Sequence, residues 1–182
     1  MKYLFIFIIV IVIALPACKK SKNFDVDSLP PITQEGKNTF GCLINGKVYV
    51  PRGFEQNKPN YQVHVDPTFN DGSFGVKFFN KSTDKRIDLT VGSDSIRSTG
   101  NFIITNTSRA RCLFAVNGTS SNPKCIVFSQ YNPTSTGFLK ITRYDLINGI
   151  FSGEFEFHFY NPDCGIGDTI HITQGRFDKK LP

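Results

Sequence analysis

The chain has 182 residues, a formal net charge of +6, 40% hydrophobic residues, 18 Phe, 1 Met and no Trp. Such a length fits one domain with a single core. Its Lys and Arg are interleaved with Asp and Glu and form no long basic block, which argues against nucleic acid as a partner. A core drawn from Phe, Ile, Val and Leu favours strands over helices.

The first segment is an export signal in its parts. Lys2 precedes an almost unbroken apolar run from Tyr3 to Leu15, which ends in Pro16, Ala17 and Cys18. The run is shorter than the ~20 residues a transmembrane helix needs, and small Ala17 stands where a signal peptidase would cut. Leu15-Pro16-Ala17-Cys18 resembles the lipobox of bacterial lipoproteins, with Pro16 a departure matched by the looser versions found in Bacteroidetes. In that motif the Cys sulfur receives a diacylglycerol and the Cys becomes the new N-terminus. Residues 1–17 are therefore read as a lipoprotein signal peptide and Cys18 as the lipidation site. The implied partner is a membrane, because acyl chains gathered on one residue reach the two-signal threshold for stable anchoring.

Residues 18–38 read as a lipid-anchored tether. They lack an apolar period, contain Pro30, Pro31 and Gly36, and begin with Lys19, Lys20 and Lys22, which suit anionic headgroups. Some Bacteroidetes lipoproteins displayed on the cell exterior carry an acidic run just after the Cys. The Lys-Lys-Ser-Lys found here points instead to the periplasmic face of the outer membrane. Asp27-Ser28-Leu29 looks like the short Asp-(Ser/Thr)-aliphatic O-glycosylation signal of Bacteroidetes exported proteins, which makes Ser28 a glycosylation candidate.

From residue 39 to residue 182 the chain reads as one β-rich domain. Short β-branched or aromatic runs fall at residues 40–50, 61–65, 74–79, 86–91, 100–105, 111–116, 125–130, 137–144, 149–160 and 169–178. Asn45-Gly46, Asn70-Asp71-Gly72, Asn117-Gly118, Asn132-Pro133 and Asn148-Gly149 supply the turn chemistry between them. In the 149–160 run, Phe151, Phe155, Phe157 and Phe159 alternate with Glu154, Glu156 and His158, with one break of period expected near Gly153. One face is core and the other is wet. About ten such strands must pack as two sheets or close on themselves. An antiparallel β-sandwich is expected, with a lipocalin-like barrel as the alternative.

Acylation of Cys18 leaves Cys42, Cys112, Cys125 and Cys164, an even number in an oxidising compartment, and three pairings are open. A hairpin centred on the turn-rich 117–123 segment would set Cys112 against Cys125, leaving Cys42 for Cys164. No Cys-x-x-Cys is present and no His lies close to a Cys in sequence, so disulfides outrank zinc. A hairpin centred at Cys164-Gly165 would place His158 opposite His171, a two-His metal candidate for which no third ligand is indicated. The 161–168 loop, with Asp163 and Asp168, lacks the spacing of a calcium loop. No Gly-x-Ser-x-Gly frame is present. Glu154 and Glu156 share a strand face about 7 Å apart, as do many surface pairs. Tyr49, Tyr61, Tyr131, Tyr144 and Tyr160 are the residues available for a glycan-binding platform. No cofactor is implied.

Three stretches carry a resemblance: Asn38-Thr39-Phe40-Gly41-Cys42 with Asn45-Gly46-Lys47, Ser152-Gly153-Glu154-Phe155-Glu156-Phe157, and Ile172-Thr173-Gln174-Gly175-Arg176-Phe177-Asp178. They resemble an uncharacterised family of small Bacteroidetes lipoproteins, in which such a strand opens the domain and such a hairpin closes it. The resemblance brackets nearly the whole mature chain and implies no activity.

Together these readings describe a membrane-anchored lipoprotein acting as a non-enzymatic binding or envelope-accessory module. Its partner would be a protein, a glycan or a small apolar ligand. An envelope or glycan hydrolase is the alternative. Cys18→Ser is expected to leave an uncleaved or soluble chain that takes up no labelled fatty acid and leaves the membrane fraction; acyl label retained by the variant would refute the anchor.

Overall fold

The computed structural model describes residues 28–81, 86–119, 122–162 and 168–182. Within these residues eleven strands form two antiparallel sheets packed face to face, so the sandwich is the fold and the barrel alternative is excluded. In chain order they are β1 (Thr39–Ile44), β2 (Lys47–Tyr49), β3 (Tyr61–Asp66), β4 (Ser73–Lys81), β5 (Arg86–Asp94), β6 (Gly100–Ile104), β7 (Ala110–Thr119), β8 (Asn122–Phe128), β9 (Thr136–Asp145), β10 (Ile150–Tyr160) and β11 (Thr169–Lys180). One sheet has the order β2-β1-β11-β10-β9-β6 and the other β3-β4-β5-β7-β8. The closing hairpin β10–β11 thus lies at the centre of the larger sheet, with the opening strand β1 against its outer side.

Turn chemistry decides where the runs divide. The 40–50 run is two strands, because Asn45 and Gly46 take φ of 48° and 77° and fold it into the β1–β2 hairpin. Asn70, Asp71 and Gly72 likewise take positive φ between β3 and β4. Asn117-Gly118 does not form a turn. It lies inside β7, where the pairing with β8 slips, and that pairing is centred two positions beyond the point that would set Cys112 against Cys125.

The alternation of β10 runs unbroken, with Phe151, Phe155, Phe157 and Phe159 all 1% exposed or less. The expected break of period belongs to its neighbours. Ser152 pairs Arg143 and Gly153 pairs Ile141, so the extra residue is Thr142 of β9. On the other side Phe155 pairs Gly175 and Phe157 pairs Ile172, which places a bulge in β11 at Gln174, whose φ is 51°. The bulge changes the phase of β11 so that Ile170 and Ile172 before it and Phe177 after it all face the core.

The sheets are joined by aromatic rings. Phe40 of β1 lies 4.2 Å from Phe78 of β4, Phe151 of β10 lies 4.9 Å from Phe74 of β4, and Phe159 of β10 lies 5.9 Å from Phe114 of β7, all between ring centroids. Gly175 makes room for the Phe155 ring: a Cβ there would stand 2.3 Å from Phe155 Cε2.

The expected disulfides are corrected by the register. Val116 pairs Cys125 and Leu113 pairs Phe128, so Cys112 falls beside Ser129, whose Oγ accepts its N–H at 2.9 Å. That is four positions, about 13 Å along the strand, from Cys125. Cys42 sits mid-strand in β1, facing the β11 bulge, and Cys164 lies outside the described residues. Cys42 and Cys112 are free, buried thiols, and burial pushes both thiols up from their ordinary range. Cys125 is a disulfide cysteine. Non-reducing peptide mapping is expected to return Cys125 joined to Cys164, with Cys42 and Cys112 alkylated only after unfolding; a bridge from Cys112 to Cys125 would contradict the register.

Candidate functional site

The segment ahead of β1 is fastened to the sandwich by one carboxylate. Asp178, in β11, is 1% exposed. Its two oxygens accept from the Thr33 hydroxyl at 2.7 Å, the N–H groups of Glu35, Gly36 and Lys37 at 3.1, 2.9 and 2.9 Å, and the Ser152 hydroxyl at 2.7 Å. Burial by itself would raise the Asp178 carboxyl, but these donors outweigh it and hold it down at about 2. Arg143 and Arg176 add bonds to the carbonyls of Gln34 and Pro30. Residues 28–38, read from sequence as extended tether, are extended but docked on the domain. Pro30 is buried over Gly41, where a Cβ would come within 2.7 Å of the proline ring.

This docked segment forms one wall of a pocket of about 520 Å³. Ser28 and Pro30 stand on that wall, Phe40 of β1 is at the base, Val50 and Arg52 follow β2, and Asn60 and Tyr61 open β3. The exit from β2 is fixed by the sheet it enters: the Arg52 N–H donates to the Phe79 carbonyl at 3.2 Å and the Asn80 amide donates to the Val50 carbonyl at 2.8 Å. Tyr61 packs 5.6 Å from Phe40, and the Lys179 ammonium lies 5.1 Å from its ring centre. Tyr61 is 8% exposed, and its hydroxyl is buried with no hydrogen-bond partner among the described residues. Burial, with a smaller contribution from Asp178, pushes that phenol far above its ordinary value. A buried hydroxyl left unpaired costs roughly 1–3 kcal/mol, and this one is closed to a ligand in the pocket. An apolar lining with Arg52 and Asn60 among its residues suits a ligand with an apolar body and an acceptor or anionic group.

On the solvent face of the larger sheet His158 and His171 stand directly opposite, as the hairpin centre requires, with Nδ1 atoms 2.9 Å apart. Among the described residues no group of three or more His, Cys, Asp and Glu is placed to hold a metal. Glu154 and Glu156 share that face and bond their neighbours, Glu154 to Lys140 and Glu156 to the Gln174 N–H, both at 3.4 Å. The five tyrosines do not form one platform. Tyr131 and Tyr160 are exposed beside the 129–135 connection, Tyr49 and Tyr144 are half-buried, and Tyr61 lines the pocket. Ser28 is exposed at the pocket rim, whereas Cys18 and the 163–167 loop lie outside the described residues.

Arg52 and Asn60 carry no local signal in the sequence, and Asp178 is marked only as the last residue of the Gly-Arg-Phe-Asp motif. Thr33 and Asp178 are 145 positions apart, and only the Thr-Phe-Gly and Gly-Arg-Phe-Asp motifs mark the two strands that bring them together. No family model, no curated protein and no solved structure matches the chain.

Asp178 generates a pH dependence of definite sign. Its folded carboxyl lies below the ordinary 3.8, so its stabilisation is complete above about pH 4 and is lost as pH falls toward 2. The shift corresponds to about 2 kcal/mol. Urea unfolding between pH 5 and pH 2 is expected to show a decline in the native chain that is smaller by about that amount in Asp178→Asn, the variant being less stable at neutral pH. Equal slopes for the two chains would refute the clasp.

Proposed function

We propose that this chain is a lipoprotein of the bacterial envelope, held to the outer membrane through acylated Cys18, whose sandwich is a non-enzymatic module that binds a small ligand in the pocket beside Tyr61. The observation that carries the binding reading is the pocket itself, about 520 Å³ in volume, in which Arg52 and Asn60 stand beside Pro30, Phe40, Val50 and Tyr61. The signal-like N-terminus, the lipobox and the resemblance to small Bacteroidetes lipoproteins support the envelope reading. The ligand class is a compact molecule with an apolar ring or chain and an anionic or carbonyl group, a description that includes glycan fragments bearing acetamido or carboxyl groups.

An aromatic sulfonate, 1-anilinonaphthalene-8-sulfonate, has this chemistry and is the probe of choice. Saturable binding of one molecule per chain is expected, weakened about 10-fold in Arg52→Ala through loss of one charge-assisted hydrogen bond. Tyr61→Phe should be as stable as the parent or more so, because it removes an unpaired buried hydroxyl. Binding unchanged in Arg52→Ala, or no saturable binding, refutes the pocket.

A further inference from the structure

We propose that His158 and His171 form a chelating site for a divalent transition metal on the solvent face of the β10–β11 hairpin, with Cu(II) preferred over Ni(II) and Zn(II). The two residues are direct cross-strand partners. Their rings meet edge to face, with centroids 5.0 Å apart and planes at 63°, and their Nδ1 atoms are 2.9 Å apart. Two nitrogens bound to one metal at about 2.0–2.1 Å are ~2.9 Å apart when they are cis in a square plane and ~3.3 Å apart in a tetrahedron. The observed spacing is the square-planar bite, and Cu(II) is both the strongest binder of nitrogen donors in the divalent series and the ion that favours this geometry.

The backbone holds this arrangement before any metal arrives. The Asn45 side chain accepts the His171 N–H at 2.8 Å, the Asn45 N–H donates to the His171 carbonyl at 2.9 Å, and β9 flanks His158 with Thr136 as its partner. The same-face neighbours along the hairpin, Glu156, Tyr160, Thr169 and Thr173, bring one carboxylate and three hydroxyls and no positive charge. In the free protein one ring donates its Nδ1 proton to the other. Metal entry requires both rings to be Nε2–H tautomers, so that proton moves to Nε2 of its own ring and both Nδ1 lone pairs turn to the metal, with no net proton released. Water completes the coordination.

The second imidazole acts at the effective concentration set by the hairpin, so losing either ring should weaken binding on the order of 100-fold. The full mature chain is titrated with Cu(II) and followed by calorimetry and by electron paramagnetic resonance. His64, the remaining histidine, lies on β3 in the other sheet and provides the control. One Cu(II) per chain with two equatorial nitrogens is expected, lost in His158→Gln and in His171→Gln and kept in His64→Gln. Circular dichroism of each variant confirms that the exposed substitutions leave the fold intact. Affinity within 3-fold of the parent in both single variants, a single coordinated nitrogen, or equal loss in His64→Gln would overturn the proposal.

Discussion

Contact between aromatic rings across the two sheets is the interaction on which the remaining structure depends. A strand whose alternate side chains are apolar has no stable place alone in water and must lay that face against another. Without Trp and with a single Met, the chain uses Phe as its large core residue, and the ring pairs from β1 and β10 join the opening strand and the closing hairpin of one sheet to β4 and β7 of the other. Each such pair adds about 0.5–1.5 kcal/mol beyond the area it buries. Their geometry also dictates where side chains must be absent. Gly153 and Gly175 lie under Phe177 and Phe155, where a Cβ would meet ring carbons at 2.6 and 2.3 Å.

The bulge at Gln174 follows from the same constraint. Apolar residues of β11 fall on even positions before it and on odd positions after it, and only an extra residue keeps both sets inside. By changing phase there, β11 turns Phe177 into the core and Asp178 outward, onto the face where the residues preceding β1 lie. The clasp on Thr33, Glu35, Gly36 and Lys37 thus depends on a backbone irregularity four residues upstream of the carboxylate. Docking of residues 28–38 in turn builds the pocket wall opposite Tyr61. Core packing, clasp and pocket are successive consequences of one register.

Register also explains the two places where local reading misplaces residues. Asn-Gly marks tight turns when the flanking strands can end there, as at Asn45-Gly46. At Asn117-Gly118 the pairing of β7 with β5 continues to Asn117, and β7 runs on past the dipeptide. Moving the hairpin by two positions separates Cys112 from Cys125 by four, enough to change the disulfide pattern. The same arithmetic sets His158 opposite His171, as the β10–β11 pairing has them.

The sequence by itself determined the strand-rich class, the inward face of β10 and the histidine pairing. These follow from period-two patterning and from turn residues, which act over a few positions. Tertiary structure alone decided the sheet order, the position of the β9 and β11 bulges, the fate of the cysteines, the docking of residues 28–38 and the convergence of Arg52, Asn60 and Tyr61 on one pocket. Each of these joins residues separated by many positions or turns on a one-residue change of register. A single chain's pattern of polar and apolar residues does not encode such a change, because the same alternation fits more than one pairing until the rings of the two sheets are packed against each other.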